Sequence, residues 1–177
     1  MSQVNLFVII NALGGFLVLG GYVVGIGMFP EHREELWGGI TGIYRNLLIG
    51  FMIISALGYL TFFYFGVFQS SSTIFSGQLF PGTITLILTS IFLISAALWI
   101  PTTITFLKTN NELWWIFTIA CLWITAISLI GLVGTVLLTE FEPGSTLSKT
   151  SIIFGLSLIT FHCLIFDAIF WVNKFPK

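Results

Sequence analysis

Residues 83–107 read TITLILTSIFLISAALWIPTTITFL, without one charged side chain. A helix rising 1.5 Å per residue over that length crosses the roughly 30 Å hydrocarbon core of a bilayer. Four more runs are as long and as apolar, Val4–Phe29, Leu47–Gln69, Trp114–Thr139 and Thr150–Val172, the last carrying a single charged residue, Asp167. The apolar runs are continuous, whereas barrel strands alternate apolar and polar residues over about ten positions. The expected fold class is therefore all-α, a polytopic bundle of five transmembrane helices forming a single domain over residues 1–177. Composition agrees, since 56% of the 177 residues are hydrophobic and only 7% charged, against about 25% charged in soluble domains.

Charge placement orients the chain. Arg33 and Arg45 fall in the first connection, Lys108 in the third, and Lys174 and Lys177 in the tail, regions that share one side of a five-span protein. Lys149 alone lies opposite, beside Glu140 and Glu142. Cytoplasmic loops favour Lys and Arg, so the N-terminus is expected outside and the C-terminus inside. No cleavable leader is visible, because the first apolar run is too long for a signal-peptide core and no basic segment precedes it. Cys121 and Cys163 both lie within spans and report no redox compartment.

The connections are short. Glu31–Trp37 is expected to form an interfacial helix with Trp37 at headgroup level, and Ser70–Gly82 (SSSTIFSGQLFPG) has turn chemistry without charge. Pro143–Gly144 marks the turn before span five. Within span one, Asn11, Gly14, Val18, Gly21 and Gly25 repeat at helical spacing, and Gly21 and Gly25 make a GxxxG pair suited to close helix approach. That face packs another helix or, in a homo- or hetero-oligomer, a partner chain. Thr118, Cys121, Thr125, Ser128 and Thr135 line one side of span four, as packing or as a path for a polar solute.

Asp167 is the one acidic residue within a predicted span, and an intramembrane carboxyl is expensive unless paired, protonated or wetted. His162 shares its span, but five α-helical residues turn 500°, placing the two about 140° apart rather than on one face. Pro101 is expected to kink span three and free the carbonyl of Ala97. Counted from the inner ends, Tyr22, Ser55, Trp99, Cys121, Trp123 and Asp167 reach a similar depth. They are expected to line an inner cavity for an apolar, amphipathic or aromatic small molecule. The rival readings are an accessory subunit of a larger membrane complex and an ion or proton conduit using Asp167. Catalysis has no nucleophile elbow, phosphate loop or zinc-type ligand spacing behind it, no cofactor is named, and nucleic acid has no basic patch to bind. His32 with Glu31 and Glu35 resembles a surface metal site, and a solvated charge cluster explains it at least as well.

Trp99-Ile100-Pro101 and the run from Asp167 to Asn173 (DAIFWVN) resemble motifs of the tryptophan-rich sensory protein and translocator protein family, TspO. Tyr44 to Tyr59 is similar to that family's entry into helix two. The resemblance implies five helices and a site for porphyrin- or sterol-like ligands. The chain departs from the family in lacking its Pro-Pro-x-Trp loop after helix one and its acidic position in helix four.

Overall fold

Each apolar run becomes one long helical span in the computed structural model, which describes residues 2–68, 79–141 and 146–176. Helix α1 covers Gln3–Met28, and the Ser2 hydroxyl caps it by accepting from the amide of Asn5 at 3.1 Å. Pro30 opens a 3-10 turn over Pro30–His32, followed by the short helix α2, Arg33–Leu36. This is the expected interfacial element, and the Arg45 guanidinium stands over the Trp37 ring at 5.3 Å. Helices α3 (Gly42–Phe68), α4 (Leu79–Thr109) and α5 (Glu112–Leu138) follow. Asn111 caps α5 by accepting from the amide of Leu113, and Asn110 makes the tight turn before it with a φ of 49°. The last span is α6 (Thr146–Phe161), a π-helix over His162–Trp171, and a final turn α7 (Val172–Lys174).

The helices form a ring in which α1 packs on α4, α4 on α5, α5 on the last span, and α6 on α3. The ring closes weakly, because α1 and α3 touch over a short stretch only. Arg33, Arg45, Lys108 and Lys174 all lie at one end of the bundle. There Arg45 bonds Glu34, Lys108 sits 3.7 Å from the centre of the Phe29 ring, and Gly39 abuts the Lys174 carbonyl. Lys149 is at the other end, where it donates to the carbonyls of Leu137 and Thr139. The second connection over 70–78, Glu142, the Pro143–Gly144 turn and Lys177 lie outside the described residues.

Small residues set how closely the spans approach. Gly14 faces Leu93 and Gly25 faces Ile100, so the glycine face of α1 is occupied by α4 of the same chain. Asn11 is spent the same way, accepting from the Tyr59 hydroxyl at 2.6 Å. The expected docking of a partner chain on this face is thereby corrected: the groove is filled from within. Its opposite side, with Phe16 74% exposed, is left to lipid. The tightest crossing lies elsewhere, where Gly58 of α3 meets Gly155 of α6. A Cβ on Gly58 would stand 2.6 Å from the Gly155 carbonyl oxygen.

Helix α4 runs through Pro101 without a break. The Ala97 carbonyl released by the proline faces Gly21, where even an added Cβ would lie 3.8 Å away. Thr102 and Thr103 donate to the neighbouring carbonyls of Leu98 and Trp99, the kind of local repair that lets proline persist in membrane helices. The hydroxyl stripe of α5 is buried against α4, with Ser95 and Thr125 bonded at 2.8 Å and Thr118 donating to Thr102 at 3.1 Å.

The Gly58–Gly155 contact predicts a sharp asymmetry. Gly155→Leu forces α3 and α6 apart and lowers stability by about 1–3 kcal/mol, whereas Gly20→Leu, with nothing within 4 Å, leaves it unchanged. Thermal midpoints of the purified variants in one detergent check this, and equal midpoints would refute the assignment.

Candidate functional site

The weak seam between α1 and α3 leaves a cavity of about 250 Å³ at the basic end of the bundle. Tyr22 and Ile26 of α1 line one side, and Leu48 and Met52 of α3 the other. Trp99 and Ile100 of α4 form the back. His162, Phe166, Asp167 and Trp171 come from the π-helix, while Leu36, Trp37 and Ile40 cover the end, with Arg33 and Glu34 at the rim. The volume lies just below the roughly 300–1,000 Å³ of small-molecule sites, room for about a single ring.

The π-helix accounts for the polar floor. Its hydrogen bonds join each residue to the one five positions on, and such segments are frequent at functional sites. Residues five apart are then stacked rather than splayed. His162 Nε2 consequently lies 3.6 Å from Asp167 Oδ1, and the sequence-based separation of about 140° is corrected by this rewinding. At that distance the pair is not a hydrogen bond. The His162 ring stacks nearly parallel to Phe51 with centroids 6.1 Å apart, and its Nδ1 is buried with no partner among the described residues. Asp167 keeps a third of its side chain open, and the Cys163 thiol is its hydrogen-bonding neighbour.

The aromatic back wall is a connected set. The Trp99 ring meets Tyr22 at 5.9 Å and stands edge-on to Trp171 at 5.5 Å. Trp171 ties the wall to the connection above it by donating Nε1–H to the Leu36 carbonyl at 2.9 Å. Gly38 makes room for that indole: its φ is 60°, and a Cβ there would stand 2.8 Å from Trp171 Nε1. At the rim Arg45 donates to both carboxylate oxygens of Glu34, at 3.2 and 2.6 Å. Those hydrogen bonds hold the exposed Glu34 carboxyl below its ordinary range, desolvation opposing them. His32 Nδ1 pairs with Glu35 at 2.5 Å, and Arg33 Nε donates to the Ile26 carbonyl.

Of the six residues expected at one depth, Tyr22, Trp99 and Asp167 meet at this cavity. The other three do not. Ser55 donates to the Leu158 carbonyl at 3.3 Å between α3 and α6, and Cys121 is buried beside Thr102 between α4 and α5. Trp123 turns outward and is 40% exposed. In their place stand His162, Phe166, Trp171 and Met52. Trp171, four residues beyond Asp167, shares its face in a plain α-helix; His162 and Phe166 could have been found by treating the last span as π-wound, and nothing in the sequence marks Met52. Comparison with protein-family models, with curated proteins and with solved structures finds no match to this chain.

Trp171→Phe keeps the ring packing but loses the bond to Leu36. The connection should then open more often, exposing Arg33. Trypsin cleavage after Arg33 in the detergent-solubilised protein is expected to accelerate several-fold, and an unchanged rate would remove Trp171 from that role.

Proposed function

We propose that this integral membrane protein binds a small amphipathic or aromatic molecule in the cavity beside Trp99. The observation that carries the reading is the convergence of Trp99 and Asp167, from different spans, on one cavity. Apolar side chains from α1, the first connection, α3, α4 and the π-helix supply most of its wall, and a few polar groups stand at fixed places, the usual composition of a small-molecule site. The N-terminus lies outside and the C-terminus inside, supported by four basic residues at the cavity end against Lys149 at the other. The site therefore faces the inner half of the membrane. The likeness of Trp99-Ile100-Pro101 and Asp167–Asn173 to TspO motifs points the same way, since Trp99, Asp167 and Trp171 all border this space.

The two rival readings lose the features that would have favoured them. A subunit docking through the Asn11–Gly25 face would need that face free, and α4 and Tyr59 occupy it. A conduit along Thr118–Thr135 would need a wetted path, and its hydroxyls are instead bonded to α4 or to their own helix.

Filling the cavity tests the proposal. The protein, isolated gently from its native membrane, is expected to retain a small amphipathic or aromatic molecule detectable by mass spectrometry. Met52→Trp should abolish that retention, whereas Trp123→Ala should preserve it. Equal retention by the filled variant would overturn the reading.

A further inference from the structure

We infer that the ligand of this cavity is an organic monocation, an aryl- or alkyl-ammonium, with its positive centre among the rings of Tyr22, Trp99 and Phe166 and with Asp167 as counter-ion. The inference rests on the cavity being a binding site, as proposed above.

Among the described residues, no basic side chain lies within hydrogen-bond distance of Asp167. Among the described residues, Asp167 is the only acidic residue in the interior of a span. Glu34 is matched by Arg45 through two hydrogen bonds. Arg33 is exposed at the rim, with Nε turned to the Ile26 carbonyl. His162 is the one basic side chain close to Asp167, and neither of its ring nitrogens has a hydrogen-bond acceptor: Nδ1 has no partner and Nε2 is 3.6 Å away. Protonated on both nitrogens, the ring would leave its buried Nδ1–H without an acceptor, which makes the imidazole a poor counter-charge for Asp167 even at 3.6 Å. The Cys163 thiol is a weak donor and brings no charge. An uncompensated carboxylate at membrane depth is costly, and a bound cation supplies what the chain omits.

The walls suit the same chemistry. Tyr22, Trp37, Trp99, Phe166 and Trp171 all border the space. Ring faces attract cations, more so when water is excluded, and quaternary ammonium groups are recognised by such aromatic surrounds. Leu48, Met52 and Ile100 accept the apolar remainder of the molecule. An anion would meet Asp167, and a neutral ligand would leave it unmatched.

Three probes of nearly one shape decide the matter: benzyltrimethylammonium, its uncharged carbon isostere neopentylbenzene, and the anion phenylmethanesulfonate. Each is titrated by tryptophan fluorescence into protein in phosphatidylglycerol nanodiscs, with empty discs subtracted. The cation should bind roughly tenfold or more tightly than the isostere, and the anion should not bind. Asp167→Asn should erase the preference while leaving isostere binding; Trp123→Ala should keep it. Should the Asn variant not fold, the wild-type comparison decides alone. Equal affinity for cation and isostere overturns the cation inference and leaves the binding reading standing. No binding by any probe overturns both. In phosphatidylcholine discs, weaker cation binding assigns the natural occupant to a choline headgroup and unchanged binding assigns it to a free ammonium; either result supports the inference.

Discussion

Hydrocarbon offers the backbone no hydrogen-bonding partner, and an amide or carbonyl left unmatched there costs several kcal/mol. Every departure from plain α-helix inside these spans therefore has to be made good locally. At Pro101 the missing donor frees the Ala97 carbonyl, and the surrounding threonines occupy the neighbouring carbonyls while Gly21 leaves space beside it. At His162–Trp171 the chain widens into a π-helix, which keeps its backbone paired while changing its pitch. The π-helix borders the cavity, and Pro101 follows directly on Trp99 and Ile100 of its back wall. The segments that only hold the bundle together, such as the middle of α5, stay regular.

Because lipid tails are as apolar as leucine, burial of apolar surface does not drive these helices together as it would in water. Close packing and interhelical hydrogen bonds do. The strongest seams accordingly join backbones or hydroxyls: Gly58 against Gly155, Gly14 and Gly25 against α4, and Thr125 against Ser95. Between α1 and α3 the hydrogen bond is that of Tyr59 to Asn11, about three turns of α1 from Tyr22; beside Tyr22 the ring stays loose and the cavity opens. The cavity in this protein is thus what remains where close packing gives out.

The five spans were legible because hydropathy adds along a segment and needs no knowledge of its neighbours. Depth was legible for the same reason, since rise per residue is additive, and Tyr22, Trp99 and Asp167 do meet at one level. Azimuth was not. Trp123 has a suitable depth and faces lipid, because the side it presents depends on which helices pack beside α5. Similarly, the glycine pattern of α1 was visible while the closer Gly58–Gly155 crossing was not, since Gly155 stands alone in its span and Gly58 is eight residues from Gly50 and from Gly66, with no GxxxG pair to mark it.

The pairing of His162 with Asp167 shows where sequence reasoning fails most instructively. A helix of 3.6 residues per turn separates them, and aligned hydrogen bonds hold a chain to that winding almost everywhere. A change to five-residue bonding over one segment rotates every later side chain relative to the earlier ones. It carries Asp167 under His162 and brings Phe166 and Trp171 to the same cavity. A regular α-helix would place the same five-residue step on different sides, dividing the polar floor from part of the aromatic wall. The winding of the last span, more than the identity of any residue on it, is what assembles a site from a helix that otherwise reads as one more crossing.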